Sequence, residues 1–440
     1  MMCLDVDISS EKKENSTSNE ESENNSISSW ESLSDDDNID QEENLNLQGK
    51  ILRNYNIIYE LGRGSYSIVW LAYNISDEKF YAIKVQNPSE YKDGLNEIKF
   101  VKRLVSDPPI FNNILESFVE EVNAKKYLCS IWRLHSDNID GLIRKGGYSE
   151  GLPLDVVKKI MKQLIISVNI LHKKYKVFHG DIKTDNILIK GINNRDKFMI
   201  SKYKQANFKE EYLNAKKIYW VNTGKNLNSI DKMNIKTKRI IREKIHGDII
   251  KKILLDHKTE YDNINSHIID NDYLNNINIS LADFGTYCEE NDYYEEQFGT
   301  RYYFAPEIIL MGKCKYPVDI WAIGCTFYEL LSGKFLFDPI KTKDYNRDYW
   351  HLSLICDTCG IFSKKIITNT KYYKKYFTSN AELINYDRGE ESRLDRKINE
   401  LKLDQDISNN VKRILKGTLQ IDPCKRWTID DLTKELFFDH

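Results

Sequence analysis

From Tyr55 to Ile131 the apolar positions come in short, strand-length runs broken by glycine, asparagine and charged clusters. Residues 61 to 69 read as a strand, a glycine turn and a second strand, and Tyr81-Ala82-Ile83-Lys84-Val85 follows at strand spacing. One helix, near residues 93 to 105, interrupts them, and strands return around Leu115 to Phe118 and Tyr127 to Trp132. After Trp132-Arg133-Leu134-His135 the period changes. Val156, Val157, Ile160, Met161, Leu164, Ile165, Val168 and Leu171 fall three and four apart, the spacing of a helix with one buried face. Asp319-Ile320-Trp321-Ala322-Ile323-Gly324-Cys325 opens another helix, apolar enough to be buried. The pattern predicts a small sheet lobe with one helix, then a mainly helical lobe, with a cleft between them.

Two segments stand outside this pattern. Residues 1 to 50 are rich in Asp, Glu, Ser and Asn, centre on Ser34-Asp35-Asp36-Asp37, and hold too few aliphatics to form a core, so disorder is expected there. Ser22, Ser29, Ser32 and Ser34 lie beside or close to acids, where a phosphate could regulate the chain. Residues 191 to 276 form an insert with roughly six more basic than acidic side chains. Its run Lys236-Thr237-Lys238-Arg239-Ile240-Ile241-Arg242-Glu243-Lys244-Ile245 could meet nucleic acid, an import receptor or an acidic partner. The favoured reading is a flexible, solvated spacer with a transient helix, and nucleic acid is not expected as a partner.

Composition narrows the class further. A chain of 440 residues with 41% hydrophobic content and no apolar run long enough to cross a bilayer reads as soluble, with no membrane partner. The acidic start, Met1-Met2-Cys3-Leu4-Asp5-Val6-Asp7, lacks a signal peptide's charged and apolar regions, so a cytoplasmic or nuclear location is expected. The abundance of Asn, Ile, Lys and Tyr reads as AT-rich coding; a viral genome of that kind would place the protein in the host cell or the virion. Eight cysteines scattered through hydrophobic stretches suit reduced, partly buried thiols. Cys356-Asp357-Thr358-Cys359 has metal-ligand spacing but no second pair, so it reads as part of a helix.

The chemistry is concentrated in two loops. His179-Gly180-Asp181-Ile182-Lys183-Thr184-Asp185-Asn186 supplies a carboxylate (Asp181) to orient a hydroxyl, a lysine (Lys183) for phosphate charge and an asparagine (Asn186) for a metal. Far downstream, Asp283-Phe284-Gly285 brings a second metal ligand, Asp283. Upstream, Leu61, Gly62, Arg63, Gly64, Ser65, Tyr66, Ser67, Ile68 and Val69 form a turn whose glycines let backbone N–H groups approach phosphate oxygens. By resemblance to protein kinases, Lys84 would hold the α- and β-phosphates of a nucleotide while Glu97 orients it, and Leu134 would lie at the hinge beside the adenine. A lone glycine loop is weak evidence, and most strand lysines and helix glutamates are solvated surface. Five pieces in register are specific.

Across residues 51 to 440, apart from the insert, the chain resembles a eukaryotic-type protein kinase. The resemblance implies an α+β, bilobal protein-kinase fold, with an antiparallel sheet lobe over 51–135 and a helical lobe over 136–440. ATP and Mg²⁺ are the cofactors it implies, and Ser/Thr hydroxyls of proteins the substrates, because Lys183 two positions after Asp181 is the serine/threonine form. Glu307 in Gly299-Thr300-Arg301-Tyr302-Tyr303-Phe304-Ala305-Pro306-Glu307 is expected to pair with Arg426 as a structural pin. Finer features resemble the SR-protein kinases of the CMGC group: Gly151-Leu152-Pro153-Leu154-Asp155, the position of the insert, Asp344-Tyr345-Asn346-Arg347-Asp348, and Lys371-Tyr372-Tyr373-Lys374-Lys375-Tyr376-Phe377-Thr378. That branch implies Arg-Ser-rich or otherwise basic substrates, with Asp348 and Asp357 as docking acids; ordinary cap and surface acids are the alternative. A monomer is expected.

The departures are informative. Gly180 stands where many kinases carry an arginine that receives an activation-loop phosphate, so constitutive activity is expected. Ser67 replaces the third loop glycine, Phe284 is the commoner kinase choice where this branch has leucine, Phe304 stands where related kinases often have arginine, and bulky Trp132 should close the back of the adenine pocket. The rival reading is a pseudokinase scaffold, against which Lys84, Glu97, Asp181, Lys183, Asn186 and Asp283 are all present.

Overall fold

Strand β1 (Ile51–Leu52) turns back into the long strand β2 (Tyr55–Arg63), which pairs antiparallel with β3 (Ser67–Asn74). Strand β4 (Lys79–Gln86), helix α1 (Tyr91–Arg103), and strands β5 (Ile114–Val122) and β6 (Lys125–Trp132) complete a six-stranded antiparallel sheet ordered β1-β2-β3-β4-β6-β5. The computed structural model describes residues 45–64, 66–104, 110–122, 124–224, 226, 230, 232–290, 292, 294, 296–387 and 392–438. Serines 22, 29, 32 and 34, Ser65, and all but the end of the acidic tail lie outside the described residues.

The sheet begins earlier than expected. Leu47 is fully buried, Gly49 donates its N–H to the Ile57 carbonyl at 2.9 Å, and Lys50 accepts the Ile57 N–H at the same distance. Residues 47 to 50, read as tail, therefore belong to the folded unit that runs from Leu47. Gly49 is required where it stands: its φ is +78°, and a Cβ would come within 2.7 Å of the Gly247 backbone.

Beyond the hinge come β7 (His135–Asn138), α2 (Ile139–Lys145) and α3 (Leu154–Ile170), whose buried face holds the predicted Val156, Val157, Ile160, Met161, Leu164, Ile165 and Val168. Strands β8 (Val177–Phe178) and β9 (Ile187–Lys190) flank the first chemical loop. After the insert and α8 (Asn271–Asn275), β10 (Ile279–Leu281) pairs with β9, and β11 (Cys288–Glu289) pairs with β8. Helix α9 (Pro306–Ile309) leads to α10 (Pro317–Ser332), in which every residue from Val318 onward is buried. Helix α11 (Arg347–Cys359) holds Cys356 and Cys359 as free thiols, and further helices close the lobe. No helix among the described residues is long and apolar enough to cross a membrane.

The insert differs most from expectation. It folds into α4 (Asn194–Gln205), α5 (Phe208–Asn222), α6 (Ile235–Asp256) and α7 (Lys258–Asn263), and packs on the sheet lobe. On α6, Ile241 packs with Trp220 and Met233 next to α5, while Ile250 and Ile253 join Ile58, Leu71, Met199 and Tyr203. Burying two different faces spreads apolar residues around the helix, so α6 lacks the single stripe by which amphipathic helices are recognised. Part of its basic run is used internally. Arg239 donates to the Ile51 carbonyl on β1 and to Glu120 on β5 (2.9 Å), while Glu243 accepts the Ile51 N–H (3.4 Å). A flexible spacer is thereby corrected to a helical clasp across the two edge strands of the sheet.

Candidate active site

The turn between β2 and β3 is tight: Gly62 pairs with Val69, Arg63 with Ile68, and the Gly64 N–H reaches the Ser67 carbonyl at 2.9 Å. A Cβ added at Gly62 would meet nothing within 4 Å, and one at Gly64 only the Ser67 carbonyl at 3.9 Å. Packing within the protein therefore does not demand these glycines; they leave an open backbone surface suited to phosphate oxygens. The tip residue Tyr66 is exposed, and Arg63 turns back to pair with Glu60 at 2.6 Å. On the neighbouring strand Lys84 donates to Glu97 of α1 at 2.7 Å, with Glu97 buried. Burial alone would lower the pKa of Lys84, but Glu97 and Asp283 outweigh it and hold the ammonium above its ordinary range. Trp132 is buried, its indole N–H on the Ser130 hydroxyl at 2.8 Å, and Leu134 packs partly buried just beyond.

The catalytic-loop geometry is set from below by α10. Asp319, buried at the head of that helix, accepts the backbone N–H groups of His179 (2.8 Å) and Gly180 (2.9 Å) and lies 2.8 Å from the His172 ring. The His179 Nδ1 accepts the Asp181 N–H at 3.2 Å, so its Nε2–H donates to the Ala282 carbonyl at 3.1 Å, joining this loop to the strand before Asp283. Asp181 Oδ2 is 2.9 Å from the Lys183 ammonium and 3.3 Å from the Asn186 amide nitrogen. Its Oδ1 is buried with no hydrogen-bond partner among the described residues. Lys183 also donates to the Thr300 hydroxyl at 2.6 Å. Burial opposes its charge, but Asp181, Asp185 and Asp283 prevail and raise its pKa.

Asn186 spends its amide N–H groups on the Asp181 backbone carbonyl (2.8 Å) and carboxylate, which orients the side chain and leaves its amide oxygen open. Asp283 sits at φ +63°, an unusual conformation for a residue with a side chain. Phe284 anchors it, buried against Phe100, Phe111 and His179 with ring centroids 5.5, 5.9 and 5.0 Å away. An amide and a carboxylate oxygen beside two ammonium groups fit a hard divalent cation bound together with phosphates.

The activation segment packs where an arginine would otherwise stand. Gly180 has φ +82°, and a Cβ there would lie 2.6 Å from the Thr286 carbonyl; a Cβ at Gly299, which has φ +83°, would lie 2.6 Å from the Gly180 carbonyl. Thr286 donates its hydroxyl to the His179 carbonyl at 3.1 Å, and Tyr294 stacks on Phe298 at 4.0 Å. Farther along, Arg426 grips buried Glu307 through two bonds of 2.7 and 3.0 Å, the expected pin.

The two docking acids are not left free. Asp348 pairs with Arg301, accepts the Tyr376 hydroxyl at 3.1 Å and is only 15% exposed in its side chain. Asp357 accepts the Tyr386 hydroxyl at 2.6 Å. The first thus ties the segment after Gly299 to α11, and Arg301 lies over the Phe304 ring at 4.9 Å. Sequence reasoning had Asp319 only as the start of a helix and passed over Thr300. A carboxylate heading an all-buried helix was the available signal, since such an acceptor must find internal donors.

A family model for the protein kinase domain matches residues 55–211 and 245–438. The chain belongs to the protein kinase family. The unmatched stretch falls on α5 and the first half of α6. A putative serine/threonine-protein kinase of Acanthamoeba polyphaga mimivirus is 27% identical, covering 86% of each chain. The serine/threonine-protein kinase SRPK of Physarum polycephalum is 27% identical over 75% of this chain and 72% of its own. The dual specificity protein kinase CLK1 of Homo sapiens is 25% identical over 88% of this chain and 66% of its own. This kinase is thus a serine/threonine protein kinase related to the SR-protein kinases.

Proposed function

We propose that this kinase transfers the γ-phosphoryl group of ATP to Ser and Thr hydroxyls of protein substrates, with Asp181 and Lys183 as its catalytic residues. The Asp181 carboxylate carries the reading: one oxygen is fixed by Lys183 and Asn186, and the other is buried without a partner among the described residues. Asp181 orients the hydroxyl and takes its proton as the new O–P bond forms and the bond from the γ-phosphorus to the β–γ bridging oxygen breaks. Lys183, steadied by Thr300, balances charge on the transferring group. Lys84, oriented by Glu97, holds the α- and β-phosphates beneath the backbone of residues 61 to 69, and Leu134 borders the adenine. Asn186 and Asp283 would hold Mg²⁺, which when bound neutralises phosphate charge.

Arg-Ser-rich or otherwise basic proteins are the proposed substrate class, supported by relatives named as SRPK and SRSF protein kinases. With Asp348 and Asp357 engaged internally, selection among such substrates rests on other groups. Constitutive activity is supported by the Thr286–His179 and Lys183–Thr300 hydrogen bonds and the Arg301–Asp348 pair, which tie this segment down through the protein's own groups. The test is transfer from Mg-ATP to Arg-Ser, acid-flanked and proline-directed peptides, before and after phosphatase treatment. Strong transfer to Arg-Ser peptides, insensitive to phosphatase and cut about 10²- to 10⁴-fold by Asp181→Ala with ATP still bound, supports the whole reading. Transfer to another class alone removes the substrate proposal, and loss of ATP affinity in Asp181→Ala removes the role of Asp181.

A further inference from the structure

A chain of buried and part-buried hydrogen bonds runs from the glycine-turn strand, through the first helix of the insert, to the strand after the hinge. Tyr59 lies on β2 three residues before Gly62, and β2 shifts register on both sides of it, between Ile57 and Tyr59 and between Glu60 and Gly62. Such irregularities re-aim side chains, and Tyr59 is turned into the cluster formed with α4 and α6. There its hydroxyl donates to Asp196 Oδ1. The other Asp196 oxygen accepts the Asn193 amide at 3.0 Å; that amide also donates to the Ser136 carbonyl on β7 at 2.9 Å. Asn193 caps α4 by accepting the Asp196 N–H at 2.8 Å.

A cap alone does not call for this carboxylate. Asn193 already satisfies the helix terminus, whereas Asp196 is 2% exposed and has no ion-pair partner among the described residues within 4.0 Å. Burying an unpaired carboxylate is costly, and burial raises its pKa to about 6 despite the bonds from Tyr59 and Asn193. What it gains is a bond between the lobes: β2 carries the turn over the phosphates, and β7 continues the hinge strand beside the adenine. A second link runs parallel, with Asn56 of β2 donating to the Tyr203 hydroxyl (3.2 Å), which lies 2.7 Å from His246 Nδ1 on α6.

We infer that Asp196 is a positioning residue for ATP, tying Tyr59 of the glycine-turn strand to Asn193 and the hinge strand so that the turn is held at its working height above the nucleotide. The inference rests on the assignment of the cleft as an ATP site. It is tested in the full-length protein by calorimetric ATP binding, by KM for ATP and for a peptide, and by thermal unfolding, for Asp196→Ala, Asp196→Asn and Tyr59→Phe. The expected result is a loss of ATP affinity of about tenfold in Asp196→Ala and Tyr59→Phe, the weight of one hydrogen bond to a charged group. KM for ATP follows, while kcat and peptide KM stay within about twofold; Asp196→Asn, which keeps an acceptor for Tyr59, recovers most of the affinity. The double variant loses no more than either single one. Tyr59→Phe removes one hydroxyl from a packed ring, so it remains informative where Asp196→Ala fails to fold. ATP affinity unchanged in Tyr59→Phe, or losses spread equally over ATP and peptide with lowered melting temperature, overturns the tether. Absence of ATP binding in the unaltered protein overturns the nucleotide-site assignment instead, and the tether with it.

Discussion

Returning an arginine to position 180 is a direct test of how the activation segment is held. Gly180→Arg restores the cation that many kinases use at this place, so an account based only on motif matching expects a gain of phosphate control. The geometry predicts damage. At φ +82° a side chain costs about 1–2 kcal/mol in backbone energy. Its Cβ would stand 2.6 Å from the Thr286 carbonyl and 3.3 Å from the Phe298 ring, so the segment must shift. Overpacking of that kind costs about 1–3 kcal/mol. The shift also strains the Thr286 bond to the His179 carbonyl, worth about 1 kcal/mol. Together these amount to about 3–6 kcal/mol. For a folded unit of this size the unfolding entropy is about 0.8 kcal/mol/K, so the melting temperature should fall by about 4–7 °C. Gly180→Ala carries the backbone and Cβ contributions without the charge and should lose most of the same amount. Differential scanning calorimetry with peptide-kinase assays before and after phosphatase treatment reads both effects. An arginine variant that melts like the unaltered protein and gains activity on phosphorylation would refute the packing argument outright.

Three other outcomes follow from the packing of the fold. Glu307→Ala leaves the fully buried Arg426 guanidinium without its carboxylate and should cost about 3–5 kcal/mol in chemical unfolding, with peptide phosphorylation falling as the activation segment loosens. Ile250→Ala, in the helix expected to be a solvated spacer, should cost about 2–5 kcal/mol because Ile250 is fully buried against the sheet lobe; a change under about 0.5 kcal/mol would restore the spacer. Asp348→Asn removes the charge that holds Arg301 and should lower kcat on peptide substrates severalfold in steady-state assays, with ATP KM unchanged; a rise in KM confined to basic peptides would return Asp348 to the docking role.

What the sequence made legible follows from how local each signal is. Lys84, Glu97, Asp181, Asn186 and Asp283 sit at fixed offsets within short loops, a strand or a helix whose conformation is set by neighbours in the chain, so residue type and spacing were enough to single them out. The Glu307–Arg426 pair spans 119 residues, yet each partner sits in its own recognisable run, and the bond follows. The insert had no such support. Its helices are stabilised by contacts with residues far away in sequence, Ile250 with Ile58 and Arg239 with Ile51, and α6 presents apolar residues to two partners at once. A periodicity count averages those two faces to nothing. The docking acids pose a related problem: a surface aspartate that receives a substrate and one that receives Arg301 have the same letter and helix position, and only the path of the chain after Gly299 shows that Asp348 meets Arg301. The insert's role is therefore the one most in need of structure. Its first helix follows directly on β9, the strand that ends the catalytic loop, and its long helix spans both edges of the nucleotide-side sheet. A segment connected in that way is bonded to the strand after the hinge and to the sheet that carries the glycine turn, so its packing and the shape of the cleft depend on the same contacts.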